Sequence, residues 1–430
     1  MKKINKPVLL FLDNMRRDYL VADIFRAYLE KKNFKVFLIN NENYELAIKF
    51  IPAKLFIFIK NYFQPLSPKI LKLIKKNDLD LLIIDAEGAQ TLERCKFWAE
   101  KGKNDIISHT QAAKKIFLWN DSFLNFISEY SNTNKDKFIV SGSPKVSASL
   151  LAEKFLKNKN KINSIGLIGR FGHINDFASR SSIASTIHHF WNFDEFPNTA
   201  TGETLTFYYY LKIIDYLIKN TNYIINIRPH PNEKLESYNE LIKLFGNRIV
   251  ISKFDQDFIE WMHENDKIIC TPSTSIVEPI INNIPLISVH KLVNGVTLRE
   301  YVEKMIDPFL SVVNSPETFD DLKKLINTKD LKNLESTKEF EEGKKKSYGD
   351  QKNSMKLEAM MEITKYIKNN YYSDKKKTFL FSSLIYFALN FPTFIKFKIF
   401  KKLSYLHSPF FNYFLIKKKK LSSLIAKELE

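Results

Sequence analysis

Two stretches bring together residue types that grip phosphate. Arg228-Pro229-His230-Pro231 offers a guanidinium and an imidazole, and Thr271-Pro272-Ser273-Thr274-Ser275-Ile276-Val277-Glu278-Pro279 offers a run of hydroxyls followed by an acid. Guanidinium and imidazole donors make charge-assisted hydrogen bonds to anionic oxygen, and the N–H groups of a helix start add to them. Pro229 and Pro231 restrict the backbone on both sides of His230. Ser273, Thr274 and Ser275 together exceed what a single helix cap needs, so phosphate contact is expected of them as well. Glu278, one turn further, suits ribose hydroxyls or the positive end of the helix.

A third group is acidic. Asp85-Ala86-Glu87-Gly88 follows an apolar run, and desolvation there would raise a carboxyl group toward a usable general base. The same residues also suit a turn whose acid caps the next helix. A fourth group, Gly169-Arg170-Phe171-Gly172-His173 with Asn175 and Asp176 beyond it, is a glycine-bounded turn expected near the transferred phosphate or sugar. Asp255-Gln256-Asp257 has the form of a metal-binding triplet but directly precedes an amphipathic helix, so capping is the expected role. His188-His189 lack partners at zinc spacing, and no metal site is expected.

Each motif needs a strand to present it. Apolar, β-branched runs at 81–84, 164–168, 223–227 and 267–270 read as buried parallel strands, so the motifs fall just beyond strand C-termini. Open α/β sheets bind ligands at that edge. Further strands are expected at 7–12, 34–39, 116–119, 138–141, 248–251 and 284–289, with helices at 17–32, 204–220, 236–245 and 275–282 between them. The pattern is α/β, with two Rossmann-like doubly wound halves facing a cleft. The expected divisions are an acceptor-side domain at 1–152, a linker, a nucleotide-donor domain at 164–318, and a helical segment at 319–374 packing back on the first half.

Composition narrows the function. With 11 glycines the chain has no GxGxxG and no GxxxxGK[ST], which sets aside dinucleotide-dependent dehydrogenases and P-loop enzymes. Cys95 and Cys270 are the only cysteines, both in apolar surroundings, as in a reduced cytosolic protein with packing thiols. The apolar run 7–12 meets Asp13 too soon for a signal peptide. The net charge of +18 is concentrated at the end: residues 375–420 hold eleven lysines and no acid. Aromatic and aliphatic residues alternate with these lysines, and the longest apolar stretch is broken by Asn390 and Pro392. Spanning a membrane takes about twenty apolar residues. A tail at 375–430 lying on an anionic membrane surface is therefore expected, rather than a span or a nucleic-acid site.

Taken in order, the acidic-x-Glu-Gly, RPHP and Ser/Thr motifs resemble those of bacterial GT-B glycosyltransferases of surface polysaccharide synthesis. The nearest group is the surface carbohydrate biosynthesis proteins, akin to capsule polysialyltransferases and lipopolysaccharide Kdo transferases, and more distantly to CDP-glycerol glycerophosphotransferases. Arg16-Arg17-Asp18 and Ser141-Gly142-Ser143-Pro144 share in the likeness, which runs over residues 7–310 as scattered short motifs. The resemblance implies Glu87 or Asp85 at the reaction centre and His230, Ser273, Thr274 and Ser275 on the donor phosphate. It implies a nucleotide-sugar substrate, CMP-activated acidic sugars foremost, and a lipid-linked or polymeric glycan acceptor. The enzyme would be peripheral on the cytoplasmic face of the membrane, with no cofactor and no metal. A CDP-polyol phosphotransferase with histidine as base, a sugar-nucleotide 2-epimerase and a non-catalytic polysaccharide-assembly partner stay open.

Overall fold

The computed structural model describes residues 2–3, 7–13, 15–40, 43–86, 92–156, 163–176, 178–181, 184, 196–252, 256–293, 309–342, 358–372 and 420–429. The chain divides into two compact units, Met1–Phe155 with Lys345–Glu430, and Leu156–Lys344.

The first unit is built on a six-stranded, all-parallel sheet. After the short β1 (Lys2–Lys3), its strands are β2 (Val8–Leu12), β3 (Val36–Ile39), β4 (Leu55–Lys60), β5 (Asp80–Asp85), β6 (Lys115–Leu118) and β7 (Phe138–Val140), in the order β3-β2-β4-β5-β6-β7. β2 is Val-Leu-Leu-Phe-Leu with every residue buried, the unbroken apolar run that a strand covered on both faces requires. The sequence reading left out β4, together with α2 (Tyr44–Phe50) and α3 (Pro68–Lys76) on either side of it. Its Leu-Phe-Ile-Phe-Ile run carries the same signal as β2.

The other helices of this region are α1 (Met15–Lys31), α4 (Leu92–Lys101), α5 (Lys103–Ala112), α6 (Asp121–Tyr130) and α7 (Pro144–Leu156). The Ser-Gly-Ser-Pro motif starts α7. Gly142 takes a positive φ of 84°, the Ser143 hydroxyl accepts from Val146 N at 3.3 Å, and Pro144 is the first helical residue. Ser141 and Ser143 are buried, so this motif serves the helix start.

The second unit has a five-stranded parallel sheet in the order β10-β9-β8-β11-β12. The strands are β8 (Ser164–Ile168), β9 (Ile224–Arg228), β10 (Ile249–Ile251), β11 (Lys267–Cys270) and β12 (Leu286–Ser288). Between them lie α8 (Phe196–Asn220), α9 (Asn239–Phe245), α10 (Phe258–His263) and α11 (Val277–Ile281). Asp257 caps α10 by accepting from Ile259 N at 2.9 Å, the role expected of it, while Asp255 lies outside the described residues. Gly166 in β8 is forced by packing: a Cβ there would come 2.8 Å from the ring of Trp261, which donates to Asn226 Oδ1 at 2.7 Å.

The segment after residue 318 serves both units. α12 (Phe319–Asn327) places Leu322 and Ile326 in the core of the second unit. α13 (Glu358–Asn370) belongs to the first, where Met360 N donates to the Ser147 hydroxyl at 3.3 Å. β13 (Tyr371–Tyr372) then pairs with β1. The end of the chain is not a tail: α14 (Lys420–Glu428) packs on α1, with Leu421, Ser422, Ile425 and Ala426 buried. Residues 373–419, which hold most of the basic aromatic stretch, lie outside the described residues. Among the described residues no helix is long and apolar enough to cross a membrane.

Candidate functional site

The phosphate-gripping motifs of the second unit meet at one sheet edge. In register, Ile168 of β8 stands beside Arg228 of β9 and beside Cys270 of β11, so the three strands end level. The chain leaves β8 toward β9 on one side and later reaches β11 on the other, which makes the space beyond β8 and β11 the topological switch point of this sheet. The loops after β8, β9 and β11 are therefore neighbours.

The loop after β8 is fixed from below. A Cβ on Gly169 would fall 2.2 Å from the Phe171 ring, and that ring is buried edge-on against Phe207 and Tyr210 with centroids at 5.2 and 5.4 Å. Phe171 N donates to Glu233 Oε1 at 2.8 Å and His173 N to Glu203 Oε2 at 2.8 Å. The His173 ring lies 2.6 Å from the other Glu203 oxygen. Asn175 exchanges hydrogen bonds with the Lys234 backbone, Nδ2 to O at 3.0 Å and O from N at 3.1 Å. This turn is the one expected near the transferred phosphate or sugar; two buried carboxylates take the N–H groups of residues 171 and 173, so those backbone donors are already engaged. Gly169 and Asn175 serve the loop's shape. Gly172 has room, since the nearest atoms to a Cβ there belong to Asn232 at 3.7 Å. Arg170 is the member that faces outward; it is exposed and has no ion pair among the described residues.

Arg228 is the reverse case. It is only 6% exposed, donates to the Gln256 carbonyl at 3.0 Å, and lies over Phe258 and Trp261 at 5.6 and 6.0 Å. The sequence placed this guanidinium on a ligand, but burial and stacking make it a brace between the ends of β9 and α10. His230 is half-buried, and its Nδ1 accepts from Asn232 N at 3.2 Å. An imidazole that accepts at Nδ1 carries its proton on Nε2 and is a donor there.

After β11, the Ser273 and Ser275 hydroxyls are 2.5 Å apart, and Ser273 Oγ accepts from Ser275 N at 3.2 Å. The expected helix over 275–282 is a 3-10 turn at Thr274–Ile276 followed by the five-residue α11. So short a helix has little dipole, and the hydroxyls carry the polar character of this loop. The Thr274 side chain lies outside the described residues. Glu278 is buried, which removes it from the ribose contact expected of it.

Two features were not foreseen. Glu233, three residues after His230, is fully buried, and burial pushes its carboxyl up to about 7 although Tyr238 and Phe171 both donate to it. Only its distance from the proline turn hinted at a role. His290, just past β12, lies 2.9 Å from the Ser288 hydroxyl and extends the same edge. Cys270 is buried and free of disulfide, and burial raises its thiol to about 12, which keeps it inert.

In the first unit, Asp85 ends β5 and is buried. Its Oδ1 accepts from Tyr62 N at 3.1 Å and its carbonyl from Trp119 Nε1 at 2.7 Å. Tyr62 in turn is bonded to Thr110, and the neighbouring His109, lowered to about 3 by burial, sits 3.4 Å from Leu66 N. Asp85 thus holds the loop after β4, a structural task in place of the open carboxylate expected of it. Glu87 and Gly88 lie outside the described residues. An Asp13–Lys60 pair at 3.1 Å stands at the ends of the neighbouring strands β2 and β4, unnoticed in the sequence.

No protein-family model and no curated protein matches the chain. Among solved structures, the wall teichoic acid polymerase TagF matches in two variants. A histidine-to-asparagine form has TM-score 0.51 at 12% identity, covering 85% of this chain and 89% of that one. A histidine-to-alanine form has TM-score 0.50 at 11% identity, covering 84% and 89%. The fold is GT-B-like. A Methanocaldococcus jannaschii UDP-GlcNAc 2-epimerase, solved with UDP-GlcNAc and UDP, has TM-score 0.47 at 13% identity over 86% of this chain and 100% of that one.

Proposed function

We propose that this protein is a metal-independent glycosyltransferase that moves a sugar from a nucleotide donor onto a bacterial surface glycan, with the nucleotide phosphate held at the edge of β8, β9 and β11. One observation carries the reading. Of the described acids of these loops, Asp176, Glu233 and Glu278 are buried, with Glu203 beneath them, and Glu236 is half-buried, while Arg170 is exposed and His230, Ser273 and Ser275 reach the surface. An edge stripped of exposed negative charge and furnished with a guanidinium, an imidazole N–H and two hydroxyls favours an anion. The likeness to a polymerase of wall teichoic acid and the motif resemblance both support a surface-glycan substrate.

In this reading Arg170, His230 and the serine hydroxyls stabilise the departing phosphate. The motif resemblance assigns the proton of the acceptor hydroxyl to Asp85 or Glu87. Asp85 is already engaged with Tyr62, which leaves Glu87 for that role. A CDP-polyol phosphotransferase using His230 as base is less well supported, because the proton on Nε2 makes that atom a donor at rest. The donor is expected to be CMP-activated, and the acceptor a lipid-linked or polymeric glycan.

Thermal unfolding of the full chain with CMP, CDP, UDP and GDP tests this. A ligand at a hundred times its Kd adds about 2.7 kcal/mol to stability, so at least one nucleotide should raise the melting temperature, and Arg170→Ala should reduce that rise. If none of the four moves the transition, the transferase reading fails.

A further inference from the structure

The surface of the first unit carries a strip on which apolar side chains stand beside exposed lysines. On α2, Leu46, Lys49 and Phe50 share the outer face, and Leu46 and Phe50 are 43% and 48% exposed, while Ala47 and Ile48 point into the unit. That is the i, i+3, i+4 row of a helix whose second apolar face has nothing on it. On α3 the arrangement continues. Ile70 and Ile74 are buried, and Lys69, Lys72, Lys75 and Lys76 are all exposed.

Two bonds hold the helices side by side. Lys69 pairs with Glu45, and Asn77 Nδ2 donates to Ile48 O at 3.3 Å. Between residues 44 and 77 the sequence has seven lysines and one acid, Glu45. Lys54 and Lys60 are taken by Asp78 and Asp13, but Lys49, Lys72, Lys75 and Lys76 have no ion pair among the described residues. Acids on the adjoining segments are Glu45 on α2, Asp78 just past α3, and Asp105 on α5, which packs on α3.

We infer that this α2–α3 face docks the protein on an anionic lipid surface, with Leu46 and Phe50 entering the headgroup region and the lysine row lying over the lipid charges. Leucine and phenylalanine this exposed are costly in water and gain on entering the acyl boundary. Each lysine held near such a surface strengthens binding by roughly fivefold. An acidic polymer would use the lysines but gain nothing from the leucine and phenylalanine. The position of the strip in the chain supports the same occupant. Tyr371 of β13, after which the lysine-rich stretch begins, has Lys114 over its ring at 5.1 Å. Lys114 pairs at 3.3 Å with Asp80, the first residue of β5, four residues past the end of α3. β13, the last described element before the lysine-rich stretch, is thus linked through Lys114 and Asp80 to the start of β5, the strand that follows α3 in the chain. This inference does not depend on the transferase reading.

The experiment is flotation of the full-length protein with vesicles of phosphatidylglycerol and phosphatidylcholine against phosphatidylcholine alone, for wild type, Leu46→Glu with Phe50→Glu, and Lys72→Glu with Lys75→Glu. Both double variants sit on exposed positions, and their melting temperatures should match wild type. Each should lower partition onto the anionic vesicles at least about tenfold, and wild type should bind pure phosphatidylcholine weakly. Wild-type partition by both variants would overturn the assignment and move membrane binding elsewhere. A lysine variant that loses both vesicles and heparin, beside an apolar variant that loses neither, would also overturn it in favour of an acidic polymer.

Discussion

Arg170 and Arg228 show how little a residue's type says about its task. Both follow strands of the same sheet, and both are flanked by motif residues. Arg170 is exposed, whereas Arg228 is enclosed by Phe258, Trp261 and the Gln256 carbonyl. Replacing Arg170 with alanine should weaken nucleotide binding by about tenfold or more and leave stability within about 0.5 kcal/mol of wild type. Arg228→Met should instead cost about 1–3 kcal/mol of stability, since it leaves the half-buried Gln256 carbonyl without the guanidinium. Calorimetric titration beside urea unfolding separates the two, and the reverse pattern would return the phosphate contact to Arg228. Glu233 gives a pH dependence of defined sign. Its folded form holds the proton up to about 7, while the ordinary value is 4.5. Its contribution to stability is therefore fully present below pH 4.5 and is lost as the pH rises to about 7, an effect on the order of 3 kcal/mol at most. Glu233→Gln keeps an acceptor for Phe171 N without the charge. Unfolding midpoints of this variant should lose that slope between pH 4.5 and 7, and an unchanged slope would show that Glu233 is not its source.

At the level of elements, the glycine-bounded loop after β8 separates two roles that the sequence presents as one. Gly169→Ala would push a methyl group into the Phe171 ring at 2.2 Å. It should cost about 1–3 kcal/mol and shift Arg170 with it. Gly172→Ala meets only ordinary contacts near Asn232 and should be tolerated. Equal losses in melting temperature for the two variants would contradict this division. Strands were legible because a sheet covered on both faces demands continuous apolar runs, and β2, β5, β8, β9 and β11 all have them. The extent of α11 was not legible. Ser273, Thr274, Ser275 and Glu278 make a good helix start on paper, but the Ser273 hydroxyl turns back on Ser275 N, and the turn is spent as 3-10 before five α-helical residues. Local hydrogen bonding of this kind competes with helix propagation and leaves no trace in hydrophobic period.

For the whole molecule, the largest change concerns the end of the chain. α1 is buried over most of its described surface, with Leu20, Val21, Ile24, Phe25, Tyr28 and Leu29 all inside. One side of such a helix meets the sheet and the other must be covered. α14 supplies that cover and α13 lies close by, with Tyr28 reaching the Thr364 carbonyl at 3.5 Å. A free membrane tail would make Ile425 dispensable. Here Ile425→Ala should cost the first unit about 2–4 kcal/mol, as for other buried large-to-small changes. Denaturant unfolding reads this directly, and an unaltered midpoint would mean that α14 does not complete the core. The described elements before and after the basic aromatic stretch, β13 and α14, both belong to the first unit.

The sequence by itself determined the class of fold, two parallel α/β units, and the sheet edge at which the motifs gather, because burial on both faces writes itself as uninterrupted apolar runs followed by polar loops. It also singled out His230 and the serines, whose neighbours in the chain restrict them. Only the tertiary structure decided which charged groups face outward. Arg228, Asp85 and Glu278 are turned inward, Arg170 is left exposed, and Glu203 and Glu233 hold its loop from beneath. Those outcomes rest on contacts between residues from about twenty to more than sixty positions apart, such as Asp85 with Tyr62 and Phe171 with Glu233. The same holds for α1 and α14, nearly four hundred positions apart. Exposure is a property of what the rest of the chain packs against a residue, and no local pattern encodes it.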